Sequence, residues 1–119
     1  MSTTTPITTL KKRADFVRLN RARKFMTEYF ILRYGASPDA ALAQFGYTVT
    51  VKCGNAVVRN RMKRRLRALV RELFPSIARA GHDYIIIARN DAKPSAADVA
   101  YDELRTAMRR AMANIHPHA

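Results

Sequence analysis

The order of apolar and polar residues predicts one helix and two strands in the first half of this chain. Residues 10–22 have the spacing of an amphipathic helix with a narrow apolar stripe. Residues 29–34 and 45–52 are rich in aromatic and branched side chains, which predicts two strands with a loop over 35–43 between them. The apolar stripe of the predicted helix consists of Leu10, Ala14 and Val17.

A second helix is predicted from Ala56 to about Leu73, with Pro75 just past its end. Its apolar positions cover an arc of about 120°, which is wide enough to seat the helix on a sheet. These positions are Val58, Met62, Leu66, Leu69, Val70 and Leu73.

The remaining elements are a buried strand at residues 84–88 and a last helix over about 96–114, opened by Ser95 and Asp98 as a capping pair. The fold class is therefore α+β, with helices packed on one sheet. We expect residues 1–9 to be a flexible leader, 10–114 a single domain and 115–119 a short tail.

Composition then narrows the functional class. A net charge of +13 on a chain that is 48% hydrophobic indicates a folded domain that binds a polyanion. Nucleic acid is the first expectation and an anionic membrane surface the second. The single cysteine, Cys53, and the lack of a signal or membrane-spanning pattern predict a cytoplasmic protein.

The predicted second helix carries the strongest functional signal. Eight of the 22 lysines and arginines lie between positions 52 and 71, and no carboxylate occurs from 40 to 71. A merely solvated helix face normally mixes glutamate with lysine, so this pattern favours binding to phosphates. The eight cations are Lys52, Arg59, Arg61, Lys63, Arg64, Arg65, Arg67 and Arg71.

The residues that lead into this helix allow two interpretations. A glycine before a helix N-terminus lets a phosphate approach the free N–H groups, but Gly54-Asn55 is equally compatible with a simple turn. Arg59 stands at the edge of the apolar arc, so it is predicted to point towards the loop and the helix start.

A second basic cluster covers residues 11–24 and contains Phe16. An aromatic ring beside cations suits stacking on an unpaired base, although a phenylalanine on a short amphipathic helix is also a common core residue. The cations are Lys11, Lys12, Arg13, Arg18, Arg21, Arg23 and Lys24.

Catalysis by the chain itself has weak support. His82 is predicted in a loop and His116 and His118 in the tail, and no spacing suits a metal site. Cys53 is interpreted as a small apolar residue. A general RNA chaperone, a stand-alone nuclease that uses His82, and a membrane-surface protein remain as rival hypotheses.

The sequence around the second helix resembles the signature of the bacterial ribonuclease P protein component. Supporting matches are Asp15 and Phe16, residues 30–32 and residues 83–89, and the resemblance extends over about 10–112. One helical turn after Phe16 the family often has another aromatic residue, where this chain has Asn20. The signature is carried by Lys52, Gly54, Asn55, Ala56, Val57, Arg59, Asn60, Arg61, Lys63 and Arg64.

This resemblance implies an α-β-β-β-α-β-α sandwich with a four-stranded mixed sheet and a left-handed crossover. It implies that the chain is the protein subunit of an endoribonuclease that removes the 5′ leader of precursor tRNA, with chemistry by the RNA subunit and Mg²⁺ bound mainly by that RNA. One protein per RNA and no protein partner are expected. Lys12, Phe16 and Arg33 become leader-cleft candidates. The implied contacts to the RNA subunit are Lys52, Asn55, Arg59, Asn60, Arg61, Lys63, Arg64 and Arg67.

Overall fold

A computed structural model describes residues 7–10, 14, 19, 23–37 and 41–116. In this part of the chain, five strands form one mixed sheet in the spatial order β1-β4-β5-β3-β2. β3 runs antiparallel to β2 and β5, whereas β4 runs parallel to β1 and β5. The strands are β1 (Ile7–Thr9), β2 (Arg23–Met26), β3 (Phe30–Ala36), β4 (Ala43–Thr48) and β5 (His82–Ala88).

Two helices are described in full, α1 (Ala56–Ile77) and α2 (Tyr101–Ile115). Ala14 and Leu19 also have helical backbone, in agreement with the predicted first helix. From residue 10 onward the order of elements is therefore the expected α-β-β-β-α-β-α, and the α+β class is confirmed. α1 connects the parallel strands β4 and β5, and the handedness of this crossover stays a prediction.

The N-terminal residues required a correction. Residues 7–9, predicted as part of a flexible leader, form β1 and add a fifth strand to the expected four. Ile7, Thr8 and Thr9 pair in parallel with β4, and the Leu10 N–H continues the pairing by donating to the Phe45 carbonyl at 2.8 Å. The threonine-rich sequence at residues 3–5 gave no indication of this strand. Its partner, β4, lies far away in the sequence, so no local pattern could predict the pairing.

Predicted boundaries also moved at the ends of β4 and α1. β4 ends at Thr48 because Val51–Cys53 forms a 3₁₀ turn where strand was predicted. α1 continues past Leu73, and Pro75 lies inside its last turn, where the Ala78 N–H still bonds to the Phe74 carbonyl at 2.8 Å.

Ser95 does not open the last helix. Its hydroxyl accepts a hydrogen bond from the Ala97 N–H at 3.2 Å, and its carbonyl accepts bonds from Asp98 and Val99 at 3.0 and 2.9 Å. These bonds close a separate turn, and α2 begins later, at Tyr101. The prediction that Ser95 and Asp98 cap the last helix was therefore wrong.

The sheet has two chemically different faces because side chains alternate along each strand. We call the side that packs against α1 and α2 the helix face; its buried side chains include Phe30, Leu32, Tyr84 and Ile86. The other side, the opposite face, carries a small second cluster in which Leu10 and Leu19 pack on Ile85, with Ile87 beside them.

The predicted stripe of the first helix was only partly right. Leu10 is buried, but it lies outside the helical backbone, and Ala14 is exposed. Leu19, fully buried, is the helical residue that contacts the sheet. Val17 lies outside the described residues.

Candidate nucleic-acid interface

Helix α1 is fixed to the sheet by one apolar side, which leaves its cationic side facing outward. The buried residues follow the i, i+4, i+7 spacing of a single helix face. Because this side is so well anchored, the position of every exposed cation on α1 is set by the core. The buried residues are Met62, Leu66, Leu69, Val70, Leu73 and Phe74.

Four polar residues form a row along the outward side of α1, and we call this row the ridge. At 100° per residue, Asn60, Arg64, Arg67 and Arg71 fall within an arc of about 60°. All four are exposed. Neighbours three or four residues apart on a helix are about 5–6 Å apart, so the ridge presents guanidinium groups in a line that suits a phosphate backbone.

Cations on one flank of α1 have protein partners. The Arg65 guanidinium donates to the Ala96 carbonyl at 2.8 Å and to the Val99 carbonyl, so it holds the 95–99 turn against α1. Arg61 pairs with Asp98 at 3.2 Å, and both side chains are about half exposed. An exposed pair of this kind contributes about 0–1 kcal/mol, so a phosphate could replace Asp98 as the partner of Arg61.

The start of α1 combines capping with exposed polar groups. The Asn55 Oδ1 accepts a hydrogen bond from the Val58 N–H at 3.0 Å, and Asn55 therefore serves as the N-cap. Gly54 has φ +144°, and a Cβ there would lie 3.0 Å from the Val58 side chain, so glycine is required. The two interpretations of Gly54-Asn55, a simple turn and a site where phosphate can approach the helix N-terminus, are therefore compatible with each other.

The other predicted contacts also lie at this end of α1. Lys52 is exposed in the 3₁₀ turn, and Lys63 is half-buried. Arg59 is half-buried, and its buried Nε has no hydrogen-bond partner in the described part of the chain; its direction towards the loop stays a prediction. The eight predicted contact residues therefore lie in one stretch of the chain, from the 3₁₀ turn to the fourth turn of α1.

The opposite face carries Arg33, which was predicted to line a cleft. Arg33 pairs directly across the strands with Lys24 on one side and with Ile85 on the other. Next to them, the half-exposed Met26 pairs with Ile31. Lys24 and Arg33 are therefore neighbouring positive charges on this face. Lys12, Phe16 and Asn20 lie outside the described residues.

Sequence reasoning missed the role of His116, which was placed in the tail. His116 is 5% exposed, and its Nε2 lies 2.8 Å from the Tyr84 hydroxyl. The ring centroid of His82 is 4.9 Å away. Burial lowers the pKa of His116 to about 4, with smaller contributions from His82 and Arg79. The two histidines therefore anchor the chain end on β5.

The described residues contain no group of three or more histidine, cysteine, aspartate or glutamate side chains able to hold a metal ion. Within the same residues, no helix combines the length and the apolar character needed to cross a bilayer. Cys53 is half-buried, with its Sγ 3.7 Å from the Ala88 carbonyl, which agrees with its interpretation as a small packing residue.

The family model described as Ribonuclease P matches residues 6–116. The chain belongs to the ribonuclease P protein family. This membership confirms the resemblance seen in the α1 signature, and it makes the chain a subunit of an endoribonuclease.

Curated relatives match over most of their length. The ribonuclease P protein component of Erythrobacter litoralis is 45% identical over 103 residues, which cover 86% of this chain and 84% of the relative. That of Paramagnetospirillum magneticum is 38% identical over 115 residues, covering 92% and 86%.

Solved structures of ribonuclease P proteins share the fold. The Staphylococcus aureus protein superposes with a TM-score of 0.72 at 25% identity, covering 90% of this chain and 94% of that one. The Thermotoga maritima protein gives a TM-score of 0.75 at 23% identity, covering 88% and 94%, and at this identity the likeness concerns the fold alone.

Proposed function

We propose that this chain binds the catalytic RNA of ribonuclease P and the 5′ leader of precursor tRNA, and so assists endonucleolytic removal of the leader. The observation that carries the proposal is the ridge on α1, where Arg64, Arg67 and Arg71 are exposed in line without a carboxylate among them. Cations held so close repel one another, and a bound polyanion relieves this repulsion.

The ridge and the start of α1 are assigned to the RNA subunit. Guanidinium groups bind phosphate oxygens in bidentate fashion, and phosphate contacts orient an RNA without reading its sequence. Lys52, Asn55 and Asn60 extend the same surface with polar groups, and the free N–H groups of the first turn add to the attraction for phosphate.

The opposite face of the sheet is assigned to the leader. Lys24 and Arg33 place two positive charges side by side, and Met26 and Ile31 offer an apolar surface next to them. Phosphates of a single strand would bind near Lys24 and Arg33, while its bases would pack on Met26 and Ile31. Such contacts carry little base information, so leaders of different sequence should bind similarly.

We further propose that Mg²⁺ is bound mainly by the RNA subunit, where it would supply the activation of water needed to hydrolyse the phosphodiester. The contribution of the protein is electrostatic, because its cations lower the repulsion between RNA subunit and leader. We expect a cytoplasmic complex with one protein per RNA.

The proposal is tested by cleavage of precursor tRNA at low Mg²⁺ by this protein with and without a ribonuclease P RNA. We expect cleavage at the leader junction when both are present, and no cleavage by the protein alone. Cleavage by the protein alone would show a stand-alone nuclease. Equal binding of RNAs with and without a 5′ leader by the assembled complex would instead indicate a general RNA chaperone.

Leader binding gives a second prediction. Phe16→Ala should lower the affinity of the complex for precursor tRNA about 5- to 150-fold, the range given by about 1–3 kcal/mol for a lost base–aromatic stack, and leave mature tRNA binding unchanged. The affinities are measured on the complex assembled with ribonuclease P RNA, so that the leader is the only difference between the two ligands.

Two further variants make this result interpretable. Arg33→Ala should likewise lower the affinity for precursor tRNA and leave the affinity for mature tRNA unchanged, because Arg33 lies on the described opposite face. Arg109→Ala, which removes an exposed charge from α2, should change neither affinity. Equal losses for the two tRNAs, or unfolding of Phe16→Ala, would return Phe16 to the core.

A further inference from the structure

A groove of about 540 Å³ lies between α1 and the outer part of β4, on the helix face of the sheet. Its volume is within the range of about 300–1,000 Å³ typical of sites for small molecules. Its location separates it from the proposed leader surface, which is on the opposite face. The residues that line it include Thr9, Phe45, Tyr47, Arg67, Arg71 and Pro75.

One wall of the groove is aromatic. The Phe45 and Tyr47 rings contact each other edge to face, with centroids 5.4 Å apart. Phe45 is in turn fixed by Phe74 of α1, with centroids 5.8 Å apart. Because Phe45 and Phe74 belong to the core, the Tyr47 ring is held in place by the fold and presents a rigid surface to the groove.

The other wall is cationic. The Arg67 guanidinium carbon lies 5.9 Å from the centroid of the Tyr47 ring. Arg71 follows one helical turn later, and both arginines are exposed. Neither has an ion-pair partner within the part of the chain that the structure describes. An aromatic ring with one guanidinium group over it and a second arginine in the same groove suits a ligand with both a flat ring and a negative charge.

Tyr47 also carries an unused hydrogen-bonding group. Its hydroxyl is buried and has no partner among the described residues. Burial raises the pKa of Tyr47, against the opposite effect of Arg67 and Arg71, so the hydroxyl remains a donor at neutral pH. A buried polar group without a partner is unusual in a native structure. The Arg67 side chain beside the ring is exposed, so its movement could admit an acceptor to this hydroxyl.

One edge of the groove lies beside residues 46–48 of β4, where the described part of the sheet has no further strand. The pairing of β1 with β4 covers Ala43 to Phe45 and ends there, so no described strand pairs with the outer edge of residues 46–48. A ligand can therefore enter from the side, next to the ridge on α1, without displacing any described element of the fold.

We propose that this groove binds one unpaired nucleotide of the ribonuclease P RNA, with its base on the Tyr47 ring and its phosphate between Arg67 and Arg71. The inference rests on the proposed function, in which α1 contacts that RNA. It adds a specific stacking site to a surface otherwise assigned to phosphate contacts. Arg67 thereby belongs both to the ridge and to the groove.

The test compares two tyrosine variants in binding to ribonuclease P RNA. Tyr47→Ala should weaken binding about 5- to 150-fold, as expected for one lost stacked base, and should leave the salt dependence unchanged because no charge is lost. The control is Tyr101→Ala, since Tyr101 is also half-buried and lies beneath a guanidinium group, that of Arg105 at 4.9 Å. Equal affinities of the two variants would overturn the proposal.

A second variant keeps the test decisive if Tyr47→Ala does not fold. Thr9→Tyr fills the groove from its exposed rim and should cause a similar loss of affinity. Chemical modification of the RNA bases should show one unpaired nucleotide that wild type protects and Thr9→Tyr does not. If Thr9→Tyr still protects this nucleotide, the groove is not its binding site, but the proposed function stands. If the wild-type protein does not bind ribonuclease P RNA at all, the proposed function itself is wrong.

Discussion

Replacing Arg64 and Arg67 together with alanine should weaken binding to ribonuclease P RNA about 25- to 60-fold at 0.1 M salt. Each phosphate that loses its cation lowers the slope of log affinity against log salt by about 0.7–0.9, so two lost contacts flatten it by about 1.4–1.8. Both side chains are exposed on the ridge, and their replacement leaves the buried side of α1 intact. Binding titrations at four or more salt concentrations measure the slope.

The matched control removes two charges elsewhere. Arg109→Ala with Arg110→Ala lowers the net charge equally, from the exposed side of α2. This double variant should retain the wild-type slope, which separates contact from overall charge. If Arg64→Ala with Arg67→Ala keeps the wild-type slope too, the ridge does not contact RNA and the proposed interface is wrong.

The second large effect concerns stability at mildly acidic pH. His116 is buried beside Tyr84, and its pKa falls to about 4 from an ordinary 6.5. The unfolded chain therefore binds a proton at a pH where the folded chain does not. The contribution of neutral His116 is present above about pH 6.5 and is lost as pH falls towards 4, by up to about 3 kcal/mol.

Burial is the main reason why the neutral ring is preferred, and the hydrogen bonds around it are compatible with the neutral form. The Arg79 N–H donates to the Tyr84 hydroxyl at 3.1 Å, so the hydroxyl proton is available for His116 Nε2. Burial raises the pKa of Tyr84 to about 12, so the hydroxyl keeps this proton throughout the range. Protonation of His116 would place an Nε2–H donor against the Tyr84 hydroxyl, which already accepts a hydrogen bond from the Arg79 N–H.

Urea unfolding of wild type and His116→Gln from pH 4 to 8 tests this prediction. The amide oxygen of glutamine can accept the Tyr84 proton but does not titrate, so the stability of His116→Gln should vary less between pH 6.5 and 4. His82→Gln is the control for the neighbouring ring, and it should retain most of the wild-type pH dependence. Parallel curves for wild type and His116→Gln would contradict the assignment.

The sequence was most informative for α1, because one side of this helix must pack on the sheet while the other side must face solvent. In α1, Met62, Leu66 and Leu69 had to meet a sheet, and this requirement alone predicted which side would expose Arg64 and Arg67. Residue spacing and charge therefore gave the helix, its orientation and its cationic side, and the α1 signature gave the family.

Local patterns failed where the decisive contact was distant in the chain. β1 exists because Thr9 pairs with Phe45, and His116 is buried because Tyr84 lies opposite it on β5. Neither partner is near in sequence, so neither threonine-rich composition nor a terminal histidine could indicate the outcome. The late start of α2 has a local cause, since Ser95 closes a turn of its own.

The sequence by itself determined an α+β domain with a cationic helix, because helical periodicity and charge are local properties. Tertiary structure decided which side chains share a surface. Lys24 of β2 lies opposite Arg33 of β3, and Tyr47 of β4 lies next to Arg67 of α1. These contacts depend on strand register and on helix packing. Both are fixed by long-range contacts, so no single stretch of the sequence determines them.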